Sequence, residues 1–397
     1  MTVSKFKLGM LHAGLILLGF CPGFVSADVN DHSMQLLQQL SDAHGLSGFE
    51  SAVRKVLYPV WKRYLIAFRV DGVGNISGVI PGKAASPNIL LMSHMDEVGF
   101  MVRSITSDGF IQVEPIGGWR HQVVYAERWK IMTKNGPIIG YSGEESGHIV
   151  PKSHQATNSE RAAQLHVARE MYLDVGAHSK KEAIEKFGLR PGLPITPDSR
   201  FVELNHTGRY LGKAFDDRAG AALLTEIIEK FSQSSHPNRI TVAATVQEEV
   251  GLRGAKVIAQ EYQPDVAINI EACIAGDHPY TATPSTASYP ALGKGPCVYV
   301  YEATMLPNNE LVEWVAALAK KNKIPFQFAT APNYGQDGSV VQQSHSGVPT
   351  ILIGIPVRYA HQQSGVIEGA DYAATLKLLE VILKNLDSNQ VKLLMPA

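Results

Sequence analysis

The chain reads as an α/β protein: a mainly parallel mixed sheet with helices on both faces, interrupted by an inserted β-rich domain. Three observations predict this. From residue 212 onward strand-like and helix-like stretches alternate, which implies parallel strands joined by covering helices. The run Asn88-Ile89-Leu90-Leu91-Met92 is short, apolar and followed by Ser93-His94, as suits a central strand buried on both faces. Between about residues 99 and 205 the texture changes to short alternating stretches with turns at Gly109, Gly117-Gly118, Gly136 and Gly140, the pattern of a small β module.

The elements follow in order. Leu36, Leu37 and Leu40, then Val53, Val56, Leu57, Val60 and Trp61, recur at helical spacing, predicting two amphipathic helices separated by His44-Gly45-Leu46-Ser47-Gly48. Residues 69–71 and 75–80 read as a hairpin. Beyond the insertion the expected series is helix 219–231, strand 239–246, helix 252–260, strand 266–271, helix 308–322, strand 350–353 and helix 372–386. One α/β domain, residues 32–100 plus 206–390, is thus expected around an insertion at 101–205.

Charge narrows the function. The 397 residues carry 36 Lys and Arg against 37 Asp and Glu, and no long basic run. That argues against a nucleic-acid binder, whose affinity comes largely from neutralising phosphates. Small molecules or peptides are the expected partners.

The chain opens with Lys5 and Lys7, an apolar stretch from Leu8 to about Phe24, and Val25-Ser26-Ala27. This is the order of a secretory signal peptide at 1–27, cleaved after Ala27, and it predicts a periplasmic or secreted protein with no stable membrane association afterwards. An uncleaved anchor needs about 20 apolar residues, which the run barely reaches; a lipoprotein at Cys21 would place bulky Phe20 where a small residue is expected. Past the leader only Cys273 and Cys297 remain, enough for at most one disulfide in an oxidising compartment. No reactive-thiol pattern surrounds either.

Chemistry gathers where strands are expected to end: His94-Met95-Asp96-Glu97, Glu248-Glu249 and Glu271. In open α/β sheets sites assemble at the carboxyl ends of strands. Imidazole and carboxylate without thiolate suit zinc, cobalt or manganese. In His94-x-Asp96 the period-two alternation of a strand puts both side chains on one side, so Asp96 is placed to hydrogen-bond the His94 ring and fix its tautomer; alone, the pattern also describes a surface histidine beside an aspartate. Asp216-Asp217 stands at a helix start, where one Asp is explained by capping; a second asks for more, and a carboxylate with one oxygen on each of two metals supplies it. Glu248 and Glu249 point differently, so Glu249 is free to bind metal while Glu248 acts as general base. His361 follows another apolar stretch. His94, Asp216, Glu249, Glu271 and His361 together suffice for two divalent metal ions sharing one carboxylate, with open positions for water and substrate. The insertion supplies none of them.

The motifs SHMDEVGF, GKAFDDRAG, TVQEEVGLRGA, IEACIAGDHP, YGQDGS and IPVRYAH, in this order, closely resemble the tetrahedral and glutamyl aminopeptidases, a family of di-metal clan peptidases. IGGW at 116–119 and YLDVGAHSKKEA at 172–183 resemble that family's dimerisation domain. The resemblance implies a fold of the di-zinc exopeptidase type, a metal set of His94, Asp216 (bridging), Glu249, Glu271 and His361, Glu248 as base, Asp96 behind His94, and Asp217 supporting the turn. It implies hydrolysis of the N-terminal peptide bond of peptides by a homo-oligomer, a dimer or a dodecamer. Some members carry Asp where this chain has Glu271, and most work in the cytoplasm, so the leader is a departure. Two other chemistries fit the residues less well: a di-metal hydrolase of another amide, such as an N-acyl amino acid deacylase or a carboxypeptidase-like enzyme, and a glycoside hydrolase, which would leave both histidines without a role.

Overall fold

The computed structural model describes residues 31–144, 146, 148, 170–279, 281 and 289–394. The expected leader at 1–27 lies outside the described residues. Among those described, no helix is long and apolar enough to cross a membrane.

An eleven-stranded sheet forms the centre. Its main path runs Ile66–Val70, Ile76–Ile80, Arg239–Thr245, Asn88–His94, Val266–Ile274, Thr350–Arg358, Gly365–Glu368, Arg209–Gly212 and Val202–Glu203. The four central strands are parallel, with Thr245 opposite His94 and Glu271 opposite Gly354. The flanking pairs are antiparallel, so the sheet is mixed. Cys297–Glu302 pairs antiparallel with Thr350–Arg358 and parallel with Gln327–Ala331.

Both faces are covered because the central strands are apolar on both sides. Ile89, Leu91, Ile268 and Ile270 pack in one core with the helices Asp31–Asp42, Ser51–Tyr64, Phe215–Phe231, Asn309–Lys321 and Gly369–Asn385. Leu90, Met92, Ala243 and Ala267 alternate to the other face and meet the helices Arg253–Glu261 and Gly338–Gln342. The helix starting at Asn309 is capped by the Asn308 side chain, which accepts the Leu311 amide at 2.8 Å, satisfying an amide the helix itself leaves unpaired. In the Ile66–Val70/Ile76–Ile80 hairpin, Asp71 accepts the amides of Val73, Gly74 and Asn75.

A second sheet of six antiparallel strands lies between Gly99 and Pro197 with its own core, including Phe100, Trp129, Ile131 and Leu173. Trp119 stacks on Phe100 at 5.4 Å and meets Trp129 edge-on. The large sheet takes the chain back at Val202–Glu203, a few residues before the expected boundary at 206. Three strands at the site run further than expected, 88–92 extending to His94, 266–271 to Ile274 and 350–353 to Arg358, while 239–246 stops at Thr245. Register with paired neighbours, rather than apolarity, sets where these strands stop.

Candidate functional site

His94, Asp216, Glu249, Glu271 and His361 converge at the carboxyl ends of the central strands. His94 is the last residue of its strand and Glu271 sits late in the adjacent one. Glu248 and Glu249 follow Arg239–Thr245, entering through Gln247 with φ of 57°. Asp216 follows Ala214 at φ 54°, and His361 has φ 57°. Left-handed backbone at non-glycine residues costs roughly 1–3 kcal/mol each, and such residues cluster at functional sites where the surroundings impose the conformation.

Asp216 stands between the two histidines. Its Oδ1 is 3.0 Å from His94 Nε2 and its Oδ2 is 3.3 Å from His361 Nε2. Glu271 Oε1 lies 3.7 Å from His94 Nε2, and Glu249 Oε1 lies 3.3 Å from His361 Nε2. His361, Asp216 and Glu249 thus bring three possible ligand atoms together, while around His94 the Asp216 Oδ1 and Glu271 Oε1 atoms both approach Nε2 and Glu248 and Glu249 come within reach as well. Asp217 also comes within reach of His94 and Glu271, but its carboxylate accepts the Gly220 amide at 3.1 Å and the His94 amide at 3.3 Å. That holds the turn after Asp216, joined to Asp217 by a cis peptide, and caps the helix behind it.

The outer ring nitrogens are held by oxygens that only accept. His361 Nδ1 donates to the Gly118 carbonyl at 2.8 Å, and His94 Nδ1 to the Asp96 carbonyl at 3.1 Å, directing each Nε2 inward. The Asp96 carboxylate is further from the ring, at 3.4 Å, because Ser47 and the amides of Glu248 and Glu249 occupy it. Asp96 therefore serves His94 through its main chain and the glutamate pair through its side chain. Gly118 belongs to the second sheet's segment, so the insertion does contribute to the site. Gly117 allows the approach: its φ is 79°, and a Cβ there would stand 2.6 Å from Val98 Cγ1.

The electrostatics fit cations. Burial opposes charge on His94, yet Glu271, Asp216 and Asp96 outweigh it and hold the imidazole well above its usual range. Burial likewise opposes ionisation of Asp216, but His361 and His94 keep its carboxyl well below the usual carboxylate range. The remaining carboxyls are crowded upward: Glu271 by burial with Asp217 and Asp216 adding, Glu248 by burial with Glu249 and Asp337 adding, and Glu249 by burial with Asp216 adding. Carboxylates packed this closely share their site with positive charge or with protons, and an all-nitrogen-and-oxygen donor set suits zinc, cobalt or manganese. The thiols are not available, since Cys273 and Cys297 are joined in a disulfide.

A cavity of about 290 Å³ opens beside the cluster, lined by Glu248, Leu252, Asn333, Tyr334 and Gly335 among others. The Glu248 carboxylate faces it and accepts no hydrogen bond among the described residues, although its main-chain N–H is pinned to Asp96.

The family model described as M42 glutamyl aminopeptidase matches residues 74–378. The chain belongs to the M42 glutamyl aminopeptidase family. It is 30% identical over 356 residues to the lysyl aminopeptidase of Pyrococcus furiosus, a match spanning 89% of this chain and 97% of that one. Among solved structures it resembles the TET aminopeptidase of the marine sediment archaeon Thaumarchaeota archaeon SCGC AB-539-E09, with a TM-score of 0.85 and 35% identity over 92% of this chain and all of that one (100%). It also resembles the Pyrococcus horikoshii TET1 peptidase, described as able to assemble into a tetrahedron or a large octahedral shell, with a TM-score of 0.78 and 26% identity over 89% and 100% of the two chains. The chain is an M42-family aminopeptidase, and the deacylase, carboxypeptidase-like and glycoside hydrolase alternatives give way to that membership.

Around this M42 site stand residues that sequence reasoning passed over. Lys213 Nζ bonds both oxygens of Glu97 at 2.6 Å, and Arg218 reaches Glu97 at 3.2 Å, all three buried. This triad ties the segment leading to Asp216 against the one leaving Asp96. Its signal was present in the motifs GKAFDDRAG and SHMDEVGF, but charges beside a helix start read as solvated until the partner is known.

Proposed function

We propose that the M42 fold here is a two-metal aminopeptidase, in which His94, Asp216 and Glu271 would hold one divalent ion and His361, Asp216 and Glu249 the other. The single observation that carries this is Asp216, whose two oxygens face two different histidines at 3.0 and 3.3 Å. Zinc or cobalt suits these donors best, and manganese is compatible. When bound, the ions polarise the scissile carbonyl and acidify the attacking water.

Glu248 takes the proton of that water on its carboxylate and passes it to the leaving amine. Burial among other carboxylates raises its affinity for a proton, which suits a group that must accept one and then release it. Asp96 fixes where Glu248 starts, and Asp217 fixes the Asp216 turn. The cavity of about 290 Å³ is the place for the first side chain of a peptide substrate.

Glu248→Gln preserves the shape but cannot accept a proton. The variant should keep both metals by elemental analysis and lose about 10²–10⁴-fold in kcat; near-normal turnover would sink the assignment of the base.

Residues 101–205 are proposed as the dimerisation domain beside the catalytic domain of 32–100 and 206–390. The tetrahedral or octahedral assembly described for the TET1 relative supports a homo-oligomer, for which a dimer or a dodecamer is proposed, and light scattering that finds a monomer at micromolar concentration would overturn it. The order of charges and apolar residues at 1–27, together with the Cys273–Cys297 disulfide, supports a periplasmic or secreted enzyme, since such bonds persist in oxidising compartments. N-terminal sequencing of fractionated cells should find Asp28 first; a full-length cytosolic chain would count against it.

A further inference from the structure

The motif Tyr334-Gly335-Gln336-Asp337-Gly338-Ser339 supplies neither ligand nor base in the reading above, yet its tyrosine touches the proposed metal site. The Tyr334 hydroxyl lies 3.1 Å from Glu271 Oε2 and 3.0 Å from the Ala272 carbonyl oxygen, so its one proton is shared between two acceptors. The Ala272 amide donates to the same Oε2 at 3.0 Å. Glu271 thus has one oxygen occupied by protein donors. The other, Oε1, is turned toward His94 Nε2.

We propose that Tyr334 is a positioning residue for Glu271, holding Oε2 so that Oε1 alone is presented to the cation shared with His94 and Asp216. The inference rests on reading Glu271 as a metal ligand. It answers a need specific to a glutamate: the side chain has one more rotatable bond than aspartate, and ordering it costs conformational entropy. A second donor on Oε2 removes that freedom before metal arrives, and partners behind a ligand characteristically raise metal affinity in this way.

The tether is itself braced. The Tyr334 ring stacks on Tyr299 with centroids 6.0 Å apart and planes 7° from parallel. Tyr299 lies on the strand Cys297–Glu302, and the Cys273–Cys297 disulfide links that strand to the one bearing Glu271. Ligand, tether and brace therefore move as one unit. Tyr334 also lines the cavity beside Glu248, so the same residue forms part of the proposed substrate wall.

Tyr334→Phe keeps the ring and its stacking and removes only the hydroxyl. Metal-free protein titrated with Co²⁺ against a competing chelator should bind one of two equivalents about 10–100-fold more weakly in this variant, with the other unchanged. The visible absorption of the weakened cobalt site should shift, while near-ultraviolet circular dichroism of the metal-free protein stays as in the parent. Glu271→Gln separates the two layers of the argument. In that background Tyr334→Phe should add no further loss, because the pair acts as one unit. Two parent-like cobalt affinities and an unshifted spectrum in Tyr334→Phe, with one site lost in Glu271→Gln, overturn the positioning role and leave the metal assignment standing. Unchanged cobalt binding in Glu271→Gln overturns both.

Discussion

The Glu248 main-chain N–H donates to Asp96 Oδ1 at 3.0 Å, joining the strand end that carries His94 to the turn that carries the proposed base. The Glu249 amide reaches Asp96 Oδ2 at 3.2 Å and Ser47 donates to the same oxygen at 2.6 Å. One buried carboxylate thus sets the positions of a base and a ligand relative to His94. Burial opposes its ionisation, but the His94 imidazole 3.4 Å away and the Ser47 and Glu248 donors outweigh it and hold Asp96 below its ordinary range.

Asp96→Asn keeps the volume but turns an amide NH₂ toward one of the donors now satisfied. The expected result is a loss of about 10–100-fold in kcat or in affinity for one metal, with the far-ultraviolet circular dichroism unchanged. Steady-state kinetics and metal content measured on the same sample check it, and parent-like values of both would show that the Glu248–Glu249 turn holds itself.

Lys213→Met should destabilise the protein by about 3–5 kcal/mol, the usual consequence of removing one partner from a buried ion pair. Lys213 and Glu97 side chains are 1% and 3% exposed, so Glu97 would keep only Arg218 as a cationic partner. Denaturant midpoints of the two proteins give the answer; a midpoint shift corresponding to under 1 kcal/mol would mean that Arg218 alone suffices.

His44 gives a pH dependence outside the histidine–carboxylate cluster. Burial, aided by the Lys213 charge, lowers its pKa from 6.5 to about 4, and its Nδ1 lies 2.6 Å from Thr196 Oγ1 on the second sheet. A folded pKa below the unfolded one means that the unfolded chain binds the extra proton first. Stability therefore falls as pH drops from about 6.5 toward 4. The fall should be shallower in His44→Gln, read as melting temperatures at matched pH values; parallel curves would remove His44 from the account.

Replacing Cys273 and Cys297 together by Ala should cost about 3 kcal/mol, as expected for a bond closing a loop of 24 residues. Reductant should lower the melting temperature of the parent and leave the double variant unmoved. Equal melting of the two proteins without reductant would mean that the loop is held by packing alone.

Much of this site was legible because strand ends are local features. His94, Glu249 and Glu271 each follow an apolar run of strand length, and the Asp216-Asp217 pair asks for more than capping. The adjacent aspartates are placed differently, Asp217 accepting the Gly220 amide while Asp216 faces the histidines. Less visible was Asp96, expected to reach the His94 ring with its carboxylate and found using its carbonyl instead. A sequence does not distinguish the two, because the choice follows from Ser47 and Glu248 arriving from elsewhere in the chain. The contribution of Gly118 was hidden for the same reason: glycine pairs in a β module read as turns, and a carbonyl that accepts from His361 carries no side-chain signature.

The sequence by itself determined the α/β class, the interruption by a β module, and the residue types able to hold divalent cations. Those rest on periodicity and on chemistry within a few neighbouring positions. Only the tertiary structure decided how the oxygens are shared out: which of Asp216's two faces each histidine, that Tyr334 holds Glu271, and that Lys213, Arg218 and Glu97 are buried as one unit. These contacts join residues separated by 63 (Tyr334 and Glu271) to 145 (His361 and Asp216) positions. They are fixed where strand register and helix packing bring distant segments within hydrogen-bond reach, a condition no local pattern encodes.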